Sequence, residues 1–440
     1  MLLASALIVV GCNDPDSTGP SPILVSDFVM SPTVQWSGGV VQVRSSAFSH
    51  LTTAQFTLLA GTESLVVTRL DDSTVSVTPS DAGTRTVSFR AVAGTDTVSI
   101  GSVQFFGFTG MSTLPTPIYS EYSPWPVLDP TGVLGSTPAG NVAVADLPSG
   151  TVTSYGLRYS GFDAVGPSYR AGVVTVPGAT ITDSSGLWQL GPNSTRLGAL
   201  PFNSQRYQWE IGPHTWLEGF SESIKPLITL DSGATWQLGV PTQSTYGVTN
   251  ITRVAYSPRA DRVAITGIFP DDSGAVVIDP ATGAWAYHVS GIYEVYDAVF
   301  SADGSVLYLA AALTGHIGWS RLFSVDAITG AVLHVAPMPD SATALAVAVD
   351  PGTGQVAALF GDSYIGSTTL GIAVFDPTSL AQTATLRVPA GPAQTCPANC
   401  YPTALIISNR DRAAFALLAQ DKVVRFDLLP RSGTPALRHR

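Results

Sequence analysis

Between Ile23 and about Phe108, apolar and polar residues alternate in short runs: Val41-Gln42-Val43, Gln55-Phe56-Thr57-Leu58, Leu65-Val66-Val67, Val75-Ser76-Val77, Thr86-Val87-Ser88-Phe89 and Thr97-Val98-Ser99-Ile100. A period of two sends successive side chains to opposite faces of a strand, so each run predicts a strand with one buried face. The separators, such as Ser37-Gly38-Gly39, Asp71-Asp72-Ser73 and Ala93-Gly94-Thr95, are turn formers. About seven such strands in a stretch this short predict a two-sheet sandwich.

From Thr109 the strand texture continues and acquires a long period. Trp188-Gln189-Leu190-Gly191 recurs as Trp236-Gln237-Leu238-Gly239, 48 residues on, and Trp285 follows 49 residues later. Aspartates opening turns sit at Asp183, Asp231, Asp279 and Asp326, with less regular counterparts at Asp146, Asp376 and Asp427. A second series runs in phase: Ser257-Pro258-Arg259-Ala260-Asp261, Ser301-Ala302-Asp303-Gly304, Asp350-Pro351-Gly352-Thr353-Gly354 and Ser408-Asn409-Arg410-Asp411. No helical pattern of useful length separates these marks.

A strand-only repeat of this length predicts one four-stranded propeller blade per period. A single blade cannot bury both faces, so the blades must stack into a ring. Seven aspartate marks predict seven blades; the short step from Asp146 to Asp183 leaves six or eight open. Equivalent tryptophans are expected on the same strand of each blade, packed between neighbours. The expected fold is all-β: a small immunoglobulin-like sandwich (22–108) followed by a β-propeller (109–440), preceded by a signal and tether (1–21).

Particular motifs carry resemblances. Ser37-Gly38-Gly39-Val40-Val41-Gln42-Val43, with Asp72-Ser73-Thr74-Val75-Ser76-Val77, resembles a bacterial immunoglobulin-like domain of the IPT/TIG kind. Val277-Ile278-Asp279-Pro280-Ala281-Thr282-Gly283-Ala284-Trp285 and Val325-Asp326-Ala327-Ile328-Thr329-Gly330 resemble blades of YVTN-type and quinoprotein-type propellers. Asp231-Ser232-Gly233-Ala234-Thr235-Trp236 resembles the Asp-box of sialidase-like propellers. All three kinds of turn are structural, so the resemblance implies a fold and no particular chemistry.

The N-terminus supplies an address. Leu2 to Gly11 is an uncharged apolar run, too short to span a bilayer and suited to a secretory signal. Val9-Val10-Gly11-Cys12 resembles the lipobox of bacterial lipoproteins, which implies a lipid on Cys12 and a protein held at the cell envelope. No Lys or Arg precedes the run, so the natural start is expected further upstream. With Cys12 lipidated, Cys396 and Cys400 remain as an even pair in a short Pro/Asn loop between the sixth and seventh blades. In an exported protein this predicts a disulfide. A metal site needs about four ligands, and a redox pair usually has two intervening residues, not three.

Composition narrows the function. Charged residues are only 12% of the chain, against 45% hydrophobic, and 21 basic against 32 acidic residues leave a net charge of −11. A nucleic-acid binder needs a basic footprint, and this chain has none. A sialidase would need several clamping arginines with a nucleophilic tyrosine, and spacing assigns no such set. A quinoprotein would need clustered calcium-binding residues. His288 and His334 lie one blade apart and read as repeated strand positions, not ligands. Asp71-Asp72 and Asp271-Asp272 read as solvated turns. Tyr207, Trp209, Trp216 and Phe220, beside Glu210, His214 and Glu218, read as a hairpin of the third blade or as a cradle for a sugar or peptide.

The leading expectation is a lipid-anchored scaffold without cofactor or metal, binding an envelope protein or extracellular ligand and touching the membrane through its anchor alone. The alternative is a lactonase-like or glycan-cleaving hydrolase or lyase with its site, its catalytic residues unassigned, at one mouth of the central channel. If Cys12 is lipidated, the protein should label with a fatty-acid analogue and partition into detergent, and Cys12→Ser should abolish both. Unchanged partitioning of that variant would refute the anchor.

Overall fold

The alternating runs pair into two sheets in a computed structural model of the chain. It describes residues 27–80, 83–118, 126–127, 132–158, 175–178, 186–189, 195–199, 207–210, 215–220, 223–228, 237–238, 249–257, 259–268, 274–279, 285–289, 291–313, 320–361, 370–389, 402–418 and 421–430, with strand backbone alone from 159 to 254. One sheet orders Val29–Ser31, Val41–Arg44, Thr74–Val77 and Val67–Arg69. The other orders Val34–Trp36, Asp96–Phe106, Arg85–Ala93, Thr57–Ala60 and Glu63–Leu65, its first pair parallel. Val41, Val43, Val75 and Val77 from the first meet Leu58, Phe89, Val103 and Phe105 from the second in one core. Ser45 caps a short 3-10 turn at Ser46–Ser49, which lowers Phe48 into that core against Phe28 and Phe56. The run Leu65-Val66-Val67 read as one strand is the end of one and the start of another. Val66, 86% exposed, is the crossing point between the two sheets.

The chain divides into two compact units between Gly107 and Phe108, one residue before the expected boundary. The second unit holds seven consecutive sheets, six of four strands and one of three among the described residues. The fourth blade is Thr249–Ser257, Arg262–Ile268, Ala275–Ile278 and Trp285–Val289; the fifth is Ile292–Phe300, Val306–Leu313, Ser320–Asp326 and Val332–Ala336. The sixth is Thr343–Val349, Val356–Gly361, Gly371–Phe375 and Gln382–Arg387. The seventh is composite. Pro402–Ser408, Ala413–Leu418 and Lys422–Asp427 take their outer strand from the start of the unit, Phe108–Thr113, which pairs antiparallel with Lys422–Asp427 from Phe108↔Phe426 to Thr113↔Lys422.

Packing between sheets makes this a β-propeller. The fourth and fifth blades share a core containing Ala264, Val277, Val295, Leu309 and Phe323, and the fifth and sixth share Tyr308, Leu322, Val347, Phe360 and Phe375. The inner strand of the sixth lies against that of the seventh. Val133, Ala143 and Ala145 of the first blade, which is Pro126–Val127, Gly132–Ser136, Asn141–Asp146 and Thr151–Arg158, pack with Ile406, Phe415 and Leu417 of the seventh, which joins the ends of the series. Among the described residues, the fourth to seventh blades and the first thus bury apolar faces on neighbours, as a four-stranded sheet must.

Two expectations need correction. Asp427 opens no hairpin, because the strand beside it arrives from the other end of the chain. The tryptophan repeat also does not hold strand position: Trp188 lies on Gly186–Gln189, paired on both sides, whereas Trp285 opens an outer strand paired only with Ala275–Ile278 among the described residues. Among the described residues, Trp188 is therefore on a strand flanked on both sides and Trp285 on an edge strand. Asp183, Asp231, Trp236, Cys12, Cys396 and Cys400 lie outside the described residues.

Candidate interaction surface

Within a blade, the turn joining its first two strands and the turn joining its last two lie at the same end of the sheet, so both aspartate series gather on one face of the ring. In the later turns the carboxylate folds back on its own backbone. Asp326 Oδ1 accepts from the N–H groups of Ile328 (3.0 Å) and Thr329 (2.7 Å) and from the Thr329 hydroxyl (2.9 Å), and Gly330 N–H closes the turn on the Asp326 carbonyl. Asp376 does the same with Thr378 and Ser379. Gly330 must be glycine: its φ is +76°, and a Cβ there would lie 2.4 Å from the Tyr287 ring of the preceding blade. Asp279 sits at the corresponding place after Ala275–Ile278.

The earlier turns use a serine or aspartate at the strand end. Ser301 donates to Asp303 Oδ1 (2.6 Å) and accepts from Val306 N–H (3.0 Å). Ser408 donates to Asp411 Oδ2 (2.6 Å). Asp350 accepts from Gly352 N–H and the Thr353 hydroxyl. The aspartates are therefore mechanical parts of the ring. Neighbouring blades are tied by similar means: the Tyr308 hydroxyl donates to the Pro377 carbonyl (3.0 Å), and burial foremost, then the charges of Asp303 and Asp376, push its pKa up to about 12.

The inner strands of the sixth and seventh blades carry buried apolar runs. Ala344, Leu345, Ala346 and Val347 of the sixth blade and Ala404, Leu405, Ile406 and Ile407 of the seventh are all buried. Asp297, also buried, accepts from Val347 N–H of the next blade (2.9 Å) and from Ala298 N–H (2.9 Å).

One place on the described surface differs. The large exposed apolar residues of the second unit are Ile328 (72% exposed), Val332 (43%), Leu333 (45%) and Val335 (42%), all in the last turn and outer strand of the fifth blade. His334 lies among them, exposed and opposite Ser324. The outer strand of the sixth blade carries Gln382, Thr383, Thr385 and Arg387 instead, and Arg387 pairs with Asp340. Lys and charged or polar residues are the usual guards of a sheet edge, and Val332–Ala336 has His334 alone.

Other residues singled out by sequence fall as follows. His288 and His334 are on outer strands of consecutive blades. Asp71 Oδ1 accepts from Ser73 N–H (2.7 Å), a capped turn of the sandwich. Tyr207–Glu210 and Thr215–Phe220 form a hairpin of the third sheet, with Trp209 opposite Leu217 and Trp216 opposite Glu210, so the two tryptophan positions fall on alternate faces. No group of three or more His, Cys, Asp or Glu placed to hold a metal occurs among the described residues.

No family model and no curated protein matches the sequence. Among solved structures, a chain of a mitotic checkpoint complex is similar over 74% of this chain and 93% of its own, with 12% identity and a TM-score of 0.47. A Bacteroides thetaiotaomicron protein of unknown function is similar over 95% of this chain and all of its own, with 11% identity and a TM-score of 0.35. The fold rests on the strand pairing and shared cores, not on these likenesses.

The turn carboxylates give acid a handle on the ring. The Ser301 hydroxyl, then the Ser305 N–H and hydroxyl, hold Asp303 down to about 2 from an ordinary 3.8. A pKa lower in the folded than the unfolded chain means stabilisation that is complete above the unfolded value and lost as pH falls through the folded one. Asp303→Asn should therefore flatten the loss of thermal stability between about pH 4 and pH 2. An unchanged slope in thermal unfolding across that window would contradict the role given to this turn.

Proposed function

We propose that this chain is an exported, lipid-anchored scaffold whose propeller binds another protein through the outer edge of the fifth blade. The observation that carries the reading is the gathering of the exposed Ile328, Val332, Leu333 and Val335 on one strand and its turn. An outer strand offers unpaired backbone N–H and C=O groups, and a partner strand can add to it while its side chains cover the apolar ones. Fully burying an exposed Val, Leu or Ile side chain is worth about 1.5–3 kcal/mol, so covering these four gives a useful anchor. The buried Ala, Leu, Val and Ile of the inner strands of the sixth and seventh blades support a scaffold over a channel-mouth enzyme. The lipobox-like Val9-Val10-Gly11-Cys12 motif and the polar stretch after it support an anchor at the envelope.

A photo-crosslinking residue at Leu333, in protein displayed on its native cells, should yield a discrete adduct. The same probe at Gln382, on the sixth blade's outer strand, should not, and Val335→Lys should remove the Leu333 adduct without lowering thermal stability. Identical adducts from both positions, or none from Leu333, would overturn the assignment of this edge.

A further inference from the structure

We propose that Arg412 is the latch of the composite seventh blade, standing in for the hairpin that this blade lacks. In the fifth blade the chain leaving Ser320–Asp326 is held twice: Ala327 N–H donates to the Ser305 carbonyl (3.0 Å), and the Asp326 turn leads directly into the outer strand. In the seventh, Leu428 N–H makes the corresponding bond to the Arg412 carbonyl (2.8 Å), but the chain then leaves, because the outer strand is Phe108–Thr113. Here a guanidinium takes over. Arg412 Nη2 donates to the Leu429 carbonyl (2.8 Å), and Nη1 donates to both oxygens of Asp350, at 2.9 and 2.7 Å, in the first turn of the sixth blade.

The geometry is that of a built device. The Asp350 side chain is 3% exposed and that of Arg412 21%. Burial pushes the Asp350 carboxyl up, but the Thr353 hydroxyl, the Gly352 N–H and Arg412 outweigh it and hold its pKa below the usual value. Arg412 sits at φ +49° in the last position of its turn, as Asp261 does in the fourth blade, so the turn aims its side chain and the contacts to Asp350 and Leu429 are particular to this blade. Leu429 lies three residues beyond Phe426, whose ring meets that of Phe108 edge-on at 6.1 Å. The latch therefore secures the end of the strand at which the closing pair begins.

Hydrogen exchange on the full chain tests this. Arg412→Lys keeps a charge but cannot fork between Asp350 and Leu429, while Asp350→Asn keeps the arginine and removes its counter-charge. Both should speed exchange in Lys422–Asp427 and Phe108–Thr113 by about tenfold or more, leaving Ser320–Asp326 of the fifth blade at the wild-type rate. Uniform acceleration in every blade would make Arg412 an ordinary stabilising residue and overturn the proposal. So would wild-type exchange in the seventh blade of both variants.

Discussion

Pairing of Phe108–Thr113 with Lys422–Asp427 is the constraint on which the ring depends. It joins positions some 300 residues apart, as in the bond from Lys422 Nζ to the Thr113 hydroxyl (2.9 Å). Loop-closure entropy opposes so distant a contact, and little local structure favours it. What repays it is the apolar burial that closure completes. With the outer strand in place, the seventh blade is four-stranded like the fourth to sixth, and its Ile406, Phe415 and Leu417 pack on the first blade. Without it, Lys422–Asp427 would be a bare edge and the core between first and last blades would lose support.

Apolar contact supplies most of the attraction between blades, and polar contacts set the register. Buried Ala, Val, Leu and Phe residues fill the shared cores. Such packing is strong but weakly directional. Direction comes from a few bonds that cross between blades: Asp297 to the Val347 N–H, Tyr308 to the Pro377 carbonyl, Ser320 to the Ala344 carbonyl, and Arg412 to Asp350. Each satisfies a polar group that would be costly to bury alone. An aspartate on an inner strand is thus as structural here as one in a turn.

Local features were legible in the sequence, and distant ones were not. Asp326-Ala327-Ile328-Thr329-Gly330 reads as a turn because the side chain, the hydroxyl three residues on and the glycine act within five residues. Period-two alternation places Val41, Val43, Val75 and Val77 in the core for the same reason. The closing strand was invisible because Phe108–Thr113 looks like any short strand and its partner lies at the far end. Asp427 therefore spells the same turn as its counterparts although the strand beside it comes from the start of the unit. The tie between Asp350 and Arg412 spans 62 residues and follows no motif. The apolar edge escaped notice too, since Val332-Leu333-His334-Val335 spells a strand without saying that both its faces meet solvent.

The proposed function draws on the same arrangement: turn chemistry secures the ring, inner strands pack it, and the fifth blade alone among the described outer strands presents a row of apolar side chains. The shared cores, the latch and the exposed edge all depend on a closed ring. The most direct measurement is an engineered crosslink across the closing pair, Thr113→Cys with Lys422→Cys, in a chain whose Cys12, Cys396 and Cys400 are serine. Directly opposed strand positions lie within disulfide reach. Mild oxidation should give a near-complete intramolecular bond and a higher midpoint of thermal unfolding. Failure to crosslink, or crosslinks formed only between molecules, would contradict closure by Phe108–Thr113.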